Sequence, residues 1–150
     1  MLVLQTEAGF SAAHRLMNHQ GLCRHIHGHN YRVVVQVECM DQAIDEKDGF
    51  AIDVSVLRSI VMRACERWDH TILLHHEDPL VGLLNAANTE GIADSVVVLE
   101  YYPTMELMAR ALAKLFFTKL GGHLMCTDFE RVTVSVWESD KSCASYTFGG

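Results

Sequence analysis

The chain has only two prolines among its 150 residues, no low-complexity tract and no internal repeat of fixed period. A proline-rich linker is thereby excluded, and the length fits one domain, 1–150, able to bury a core. Long apolar runs are also missing: none approaches the roughly 20 residues that a bilayer-crossing helix needs. Met1-Leu2-Val3-Leu4-Gln5 has neither the charged start nor the apolar core of a signal peptide. The expected compartment is therefore the cytosol, with no membrane partner. Basic residues are scarce, 12 Lys and Arg against 19 Asp and Glu, and the formal charge of −7 argues against a nucleic-acid partner. Cys23, Cys39, Cys65, Cys126 and Cys143 are odd in number and form no Cys-x-x-Cys pair, so a disulfide framework is not expected.

Histidine is what the chain has in quantity, nine residues in all. His27 and His29 flank Gly28, and on an extended strand residues two apart project from one face. His14 ends another segment that reads as a strand. If both strands are regular, His14 shares a face with Leu2, Leu4, Phe10 and Ala12, while His27 and His29 share one with Tyr31, Val33, Val35 and Val37. Imidazoles at the edge of a buried face need partners, and a metal ion would satisfy them. Three converging imidazoles make a zinc site with its fourth position open, the arrangement of a Lewis acid rather than a clamp. The alternative is a solvated His-x-His that binds nothing, and a β-bulge in either strand would undo the parity.

Residues 2–14 and 27–39 read as strands, the first open to interruption at Gly9, and Phe50 to Ile52 reads as a short third. Asp53 is placed as the N-cap of a helix whose apolar stripe is Val54, Leu57, Val61, Ala64 and Trp68. Residues 75–100 are least legible: loops at Asp78-Pro79 and Asn85 to Gly91, a short helix at Leu80 to Leu84, and a buried strand at Val96 to Leu99. Pro103-Thr104 opens a second long helix, with Thr104 as cap, and Gly121-Gly122 ends it. Val132, Val134 and Val136 mark a further strand, and Ala144 to Phe148 the last. Helices on one face of an antiparallel sheet make the expected class α+β.

Beyond the histidines, three features carry chemistry. Cys23 lies four residues before His27, where a thiolate beside a cation would serve as base or nucleophile, or where a small thiol is simply packed. Trp68-Asp69-His70 follows the first long helix: either Asp69 orients His70 for proton transfer, or the sequence is a helix end with a favourable histidine. His75 and His76 are alternative ligands or solvated loop residues. Glu138 ends the apolar parity of Val132, Val134 and Val136, so it needs a protein cation or a ligand offering two N–H donors.

These residues occur together in a known order. Phe10-Ser11-Ala12-Ala13-His14-Arg15-Leu16, Cys23 followed by His27-Gly28-His29-Asn30-Tyr31, Ile52-Asp53-Val54, Asp69-His70, Pro103-Thr104-Met105-Glu106 and Val136-Trp137-Glu138-Ser139 span nearly the whole chain. The chain resembles the 6-pyruvoyltetrahydropterin synthase/6-carboxytetrahydropterin synthase family. The resemblance implies the tunnelling fold, ββααββ, with subunits forming trimeric β-barrels that stack as a homohexamer with active sites at subunit boundaries. It implies zinc on His14, His27 and His29, Cys23 as catalytic base, Asp69 and His70 as the second proton-transfer pair, Glu138 as pterin anchor, and Thr104 and Glu106 near the ring. The implied activity is that of a zinc-dependent 6-carboxytetrahydropterin synthase acting on 7,8-dihydroneopterin triphosphate, on the route to queuosine and other deazapurines. The alternatives are 6-pyruvoyltetrahydropterin synthase and an inactive zinc- and pterin-binding protein. Three positions depart from the family's pattern: Leu74 stands where an Asn is usual, Ser139 where a Thr is, and the segment from His75 to Tyr102 is longer than in short bacterial members.

Overall fold

The computed structural model describes residues 1–87, 95–123 and 129–150. Its frame is the hairpin of β1 (Leu2–His14) and β2 (His27–Cys39), paired antiparallel in one unbroken register from Leu2↔Cys39 to His14↔His27. Gly9 does not interrupt β1. A Cβ there would lie 3.0 Å from the Tyr31 carbonyl oxygen, so glycine is what lets the two backbones approach. Strand alternation then decides the faces: Phe10, Ala12, Tyr31, Val33, Val35 and Val37 are buried, and their neighbours along each strand are more exposed.

Helix α1 (Val54–Glu66) begins where expected, with Asp53 Oδ1 accepting the Ser55 N–H at 2.8 Å. Its buried residues are Leu57, Ile60, Val61, Ala64 and Cys65; Val54 stays exposed. A second helix, α2 (Pro79–Ala87), overlaps the expected short helix and absorbs Asn85 to Ala87, placed in a loop by the sequence. The rest of that loop, like Cys126, lies outside the described residues. Helix α3 (Met105–His123) buries Met108, Ala109, Leu112, Ala113, Phe116 and Leu120. It runs through Gly121 and Gly122 rather than ending there. Helical glycine costs about 1 kcal/mol against alanine, and neither glycine takes the positive φ of a terminating cap.

Four further strands complete the sheet: β3 (Thr71–His75), β4 (Val96–Leu99), β5 (Phe129–Ser139) and β6 (Ser142–Gly149), in the order β4-β3-β1-β2-β5-β6. The α+β class holds. The sheet is nonetheless mixed, because β3 pairs parallel to β1 and β4 parallel to β3. Phe50 to Ile52 is not a strand; only Ile52 is buried, and among the described residues the segment has no ladder partner. Val98 in β4 is 44% exposed, so that strand is less buried than its composition implies.

Valines 132, 134 and 136 of β5 join β1 and β2 in one core with α1 and α3. The opposite face carries polar cross-strand pairs, including Gln36 Nε2 donating to Gln5 Oε1 and hydroxyl pairs Thr133–Thr147 and Ser135–Ser145. No helix among the described residues is long and apolar enough to cross a membrane. Phe116 is fully buried in the core, and Phe116→Ala is expected to cost about 3–5 kcal/mol. Urea unfolding measures this; a loss under about 1 kcal/mol would show that the site collapses without a cavity.

Candidate active site

The register of the β1–β2 hairpin puts His14 directly opposite His27, with His29 one step along the same face of β2. His14 is buried, and its Nδ1 lies 2.7 Å from the Pro103 carbonyl oxygen. A carbonyl only accepts, so Nδ1 carries the proton. Burial pushes the His14 pKa down to about 4, against the raising effect of the Pro103 bond and with the neighbouring His27 and His29 also lowering it. The ring is therefore neutral at pH 7, with a lone pair on Nε2.

His27 is oriented in the same way, its Nδ1 donating to the His25 carbonyl at 2.8 Å. The two Nε2 atoms lie 3.0 Å apart. His29 Nε2 is buried with no hydrogen-bond partner. A single shared proton would satisfy two of these three nitrogens; one ion held by all three satisfies the set. The donor atoms of the three rings lie within 4.8 Å of one another, and zinc–nitrogen bonds of about 2.0–2.1 Å would set tetrahedral donors roughly 3.3 Å apart. The residues fit a metal ion.

Glu138 approaches the same point, its Oε1 3.9 Å from His14 Nε2. Desolvation raises its pKa and Glu106 adds to that, while His29 and His27 oppose it. No Lys or Arg pairs with Glu138 among the described residues. Beside it the Tyr31 hydroxyl is buried without a partner, its pKa pushed up by burial and by Glu138. A carboxylate and an orphaned hydroxyl are thus left for a ligand. Sequence reasoning placed Tyr31 on this face but missed its hydroxyl, and missed Pro103 as the group that fixes His14. Thr104 caps α3, its Oγ1 accepting the Leu107 N–H at 3.3 Å, and lines a cavity of about 280 Å³ with Asn18, Tyr102 and Leu107. Glu106 is exposed in the first turn of α3.

Asp69 and His70 meet: His70 Nδ1 lies 2.7 Å from Asp69 Oδ2. Both are pinned to β1 through Ser11, whose N–H donates to Asp69 Oδ1 and whose carbonyl accepts the His70 N–H, each at 2.7 Å. The Ser11 bond, followed by His70, holds the Asp69 carboxyl below the usual range. His70 takes φ 58°, left-handed backbone that a non-glycine residue adopts at a cost of about 1–3 kcal/mol. It lines an open cavity of about 400 Å³ with Ser11, Ala12, Ala13, Gly28, His29 and Asn30. Ser11, Ala13, Gly28 and Asn30 have the opposite strand parity to His14, His27 and His29, but His29 borders the cavity of His70 as well. Cys23 lies in a single 3-10 turn, Leu22–Arg24. Its thiol is free and half-buried, and its carbonyl accepts the Leu16 N–H at 2.8 Å, closing the loop between β1 and β2.

The sequence pattern of the 6-pyruvoyl tetrahydropterin synthase family matches residues 3–148. The chain belongs to that family. Similar members include a probable 6-carboxy-5,6,7,8-tetrahydropterin synthase of Halobacterium salinarum, 41% identical over 104 residues that cover 69% of this chain and 62% of that protein. The match thus spans less than two thirds of that relative's length. A Rickettsia bellii 6-carboxy-5,6,7,8-tetrahydropterin synthase is 30% identical over 74% of this chain and 77% of its own. Among solved structures, a catalytic-residue mutant of the Plasmodium vivax 6-pyruvoyltetrahydropterin synthase superposes with a TM-score of 0.78, at 20% identity, over 99% of this chain and 98% of that one. At that identity the likeness supports the family's fold, the tunnelling fold expected from the sequence.

Proposed function

We propose that this family member is a zinc-dependent 6-carboxytetrahydropterin synthase that converts 7,8-dihydroneopterin triphosphate and water to 6-carboxytetrahydropterin, acetaldehyde and triphosphate, in a deazapurine (queuosine-type) route. The observation that carries the metal reading is the set of three Nε2 atoms, two on rings whose Nδ1 is held by a carbonyl and one buried without a partner. The relatives' names favour the carboxy product.

Zinc, when bound, would polarise the substrate's side-chain hydroxyls and acidify the adjacent C–H. Glu138 accepts two N–H donors of the pterin edge, as a carboxylate accepts a bidentate pair. Cys23 takes a proton as thiolate. His70 gives or takes a proton at Nε2, since its Nδ1–H is held by Asp69. Thr104 and Glu106 border the ring. Ser11, Ala13, Gly28 and Asn30 around His70 have the opposite strand parity to the histidine cluster, so a site completed by the His70 face of a second copy is part of the proposal. This supports a homo-oligomer with sites at subunit boundaries, arranged as the family's hexamer, and among the described residues β6 ends the sheet with one edge unpaired. Cys23, Cys65 and Cys143 are free thiols, which fits the proposed cytosolic location.

Incubation of the zinc-loaded protein with dihydroneopterin triphosphate, with the pterin product identified by mass, tests the proposal. The carboxy product with acetaldehyde is expected. A pyruvoyl product would assign the other branch, and no turnover would leave a binding protein. Glu138→Gln is expected to weaken pterin binding by about 1.5–3 kcal/mol, the worth of a charged hydrogen bond. Calorimetric titration checks this; unchanged affinity would rule out the anchor role.

A further inference from the structure

We propose a second metal site, for a divalent transition ion of the zinc, nickel or cobalt type, formed by His75, His76 and Glu77 with Glu100 in reach. One donor atom from each of His75, His76 and Glu77 lies within 4.8 Å of the others. The cluster stands at the carboxyl ends of two adjacent parallel strands, because His75 ends β3 opposite Leu99 of β4. The His76 N–H donates to the Leu99 carbonyl at 2.9 Å, and Glu100 follows directly. His76 Nδ1 is 3.6 Å from Glu100 Oε2, and His75 Nδ1 is 3.8 Å from Glu77 Oε2.

The His75 ring is held in place before any ligand arrives. His75 is buried and stacks on Tyr102 at 4.2 Å with a 9° interplanar angle; its centroid is 4.3 Å from that of His76. Tyr102 is itself fixed by Asn18, which donates to its hydroxyl at 2.9 Å. The turn is locked as well: the Asp78 N–H bonds the His75 carbonyl, and Asp78 Oδ1 accepts the Leu80 N–H at the start of α2. Glu77 donates its backbone N–H to His75 Nδ1 over a long 3.3 Å. That bond occupies the Nδ1 lone pair only weakly, and an ion bound at Nδ1 would displace it.

Charge favours the same occupant. Glu77 and Glu100 bring two negative charges, and among the described residues neither pairs with a Lys or Arg. The nearby Arg15 is committed to Asp78 through two bonds, of 2.7 and 2.9 Å. Two imidazoles with carboxylate oxygens are the donor set that zinc, nickel and cobalt prefer over magnesium or calcium. Glu77 and Glu100 are mostly exposed and His76 partly so, leaving all three free to close on an ion while His75 and Tyr102 stay still. The site would give the lengthened segment from His75 to Tyr102 a purpose, and it clips the ends of β3 and β4 together.

Titration of metal-free full-length protein with Zn²⁺, and in parallel with Co²⁺ read by its visible absorption, tests this. Two equivalents per chain are expected, one tight and one weaker. The double variant His76→Ala, Glu77→Ala should lose only the weaker equivalent and keep wild-type turnover once the tight site is filled. His29→Ala should lose only the tight one, so failure of the His14–His27–His29 site is read separately. Saturation at one equivalent that the double variant retains in full, which is the result if the cluster holds only internal ion pairs, would overturn the proposal. So would a second equivalent that survives in the double variant.

Discussion

His29→Ala is expected to empty the metal centre and abolish turnover while leaving the fold in place. His29 brings the one Nε2 of the three that is buried with no partner in the protein, so its removal deletes a donor without releasing a hydrogen bond. His14 and His27 remain, each with its Nδ1 bound to a carbonyl. Two imidazoles hold zinc far less well than three. His14 is a worse test, because it is buried and bonded to Pro103, and its loss would open a cavity beside α3. Metal analysis, circular dichroism and turnover on His29→Ala check the expectation together. Full metal content with normal turnover would remove His29 from the centre.

Cys23→Ala should behave differently. The three imidazoles and Glu138 are untouched, so the variant should keep its metal and bind substrate normally. Turnover should fall by roughly 10²–10⁴, the usual worth of a positioned proton acceptor. The thiol is free and half-buried on a short turn, not packed in the core as Cys39 and Cys65 are, which is the exposure a working thiolate needs. A variant with near-normal turnover would make Cys23 a packing residue. Loss of the metal as well would make it a ligand and close the fourth position.

What the sequence made legible follows from which signals are local. The histidine cluster could be read because two regular strands carry parity across 13 residues each, and no bulge intervenes before His14 or between His27 and Tyr31. Asp53 and Thr104 were legible as caps because a capping side chain acts within three residues. Strand β3 was not, since Ile72-Leu73-Leu74 is too short for periodicity and its position is decided by pairing with β1 and β4. The same gap hid the His75–Tyr102 stack and the cluster built on it. The Pro103 carbonyl, 89 residues from His14, leaves no mark in sequence spacing. Phe50 to Ile52 erred the other way: an apolar triplet served one buried residue, Ile52, and no ladder.

X-ray absorption at the zinc edge, on protein loaded with a single equivalent, tests most directly whether three imidazoles hold an open zinc. Three nitrogen scatterers at about 2.0–2.1 Å with one further light atom from solvent are predicted. A sulfur scatterer at about 2.3 Å would place Cys23 on the metal, fill the open position and contradict the account.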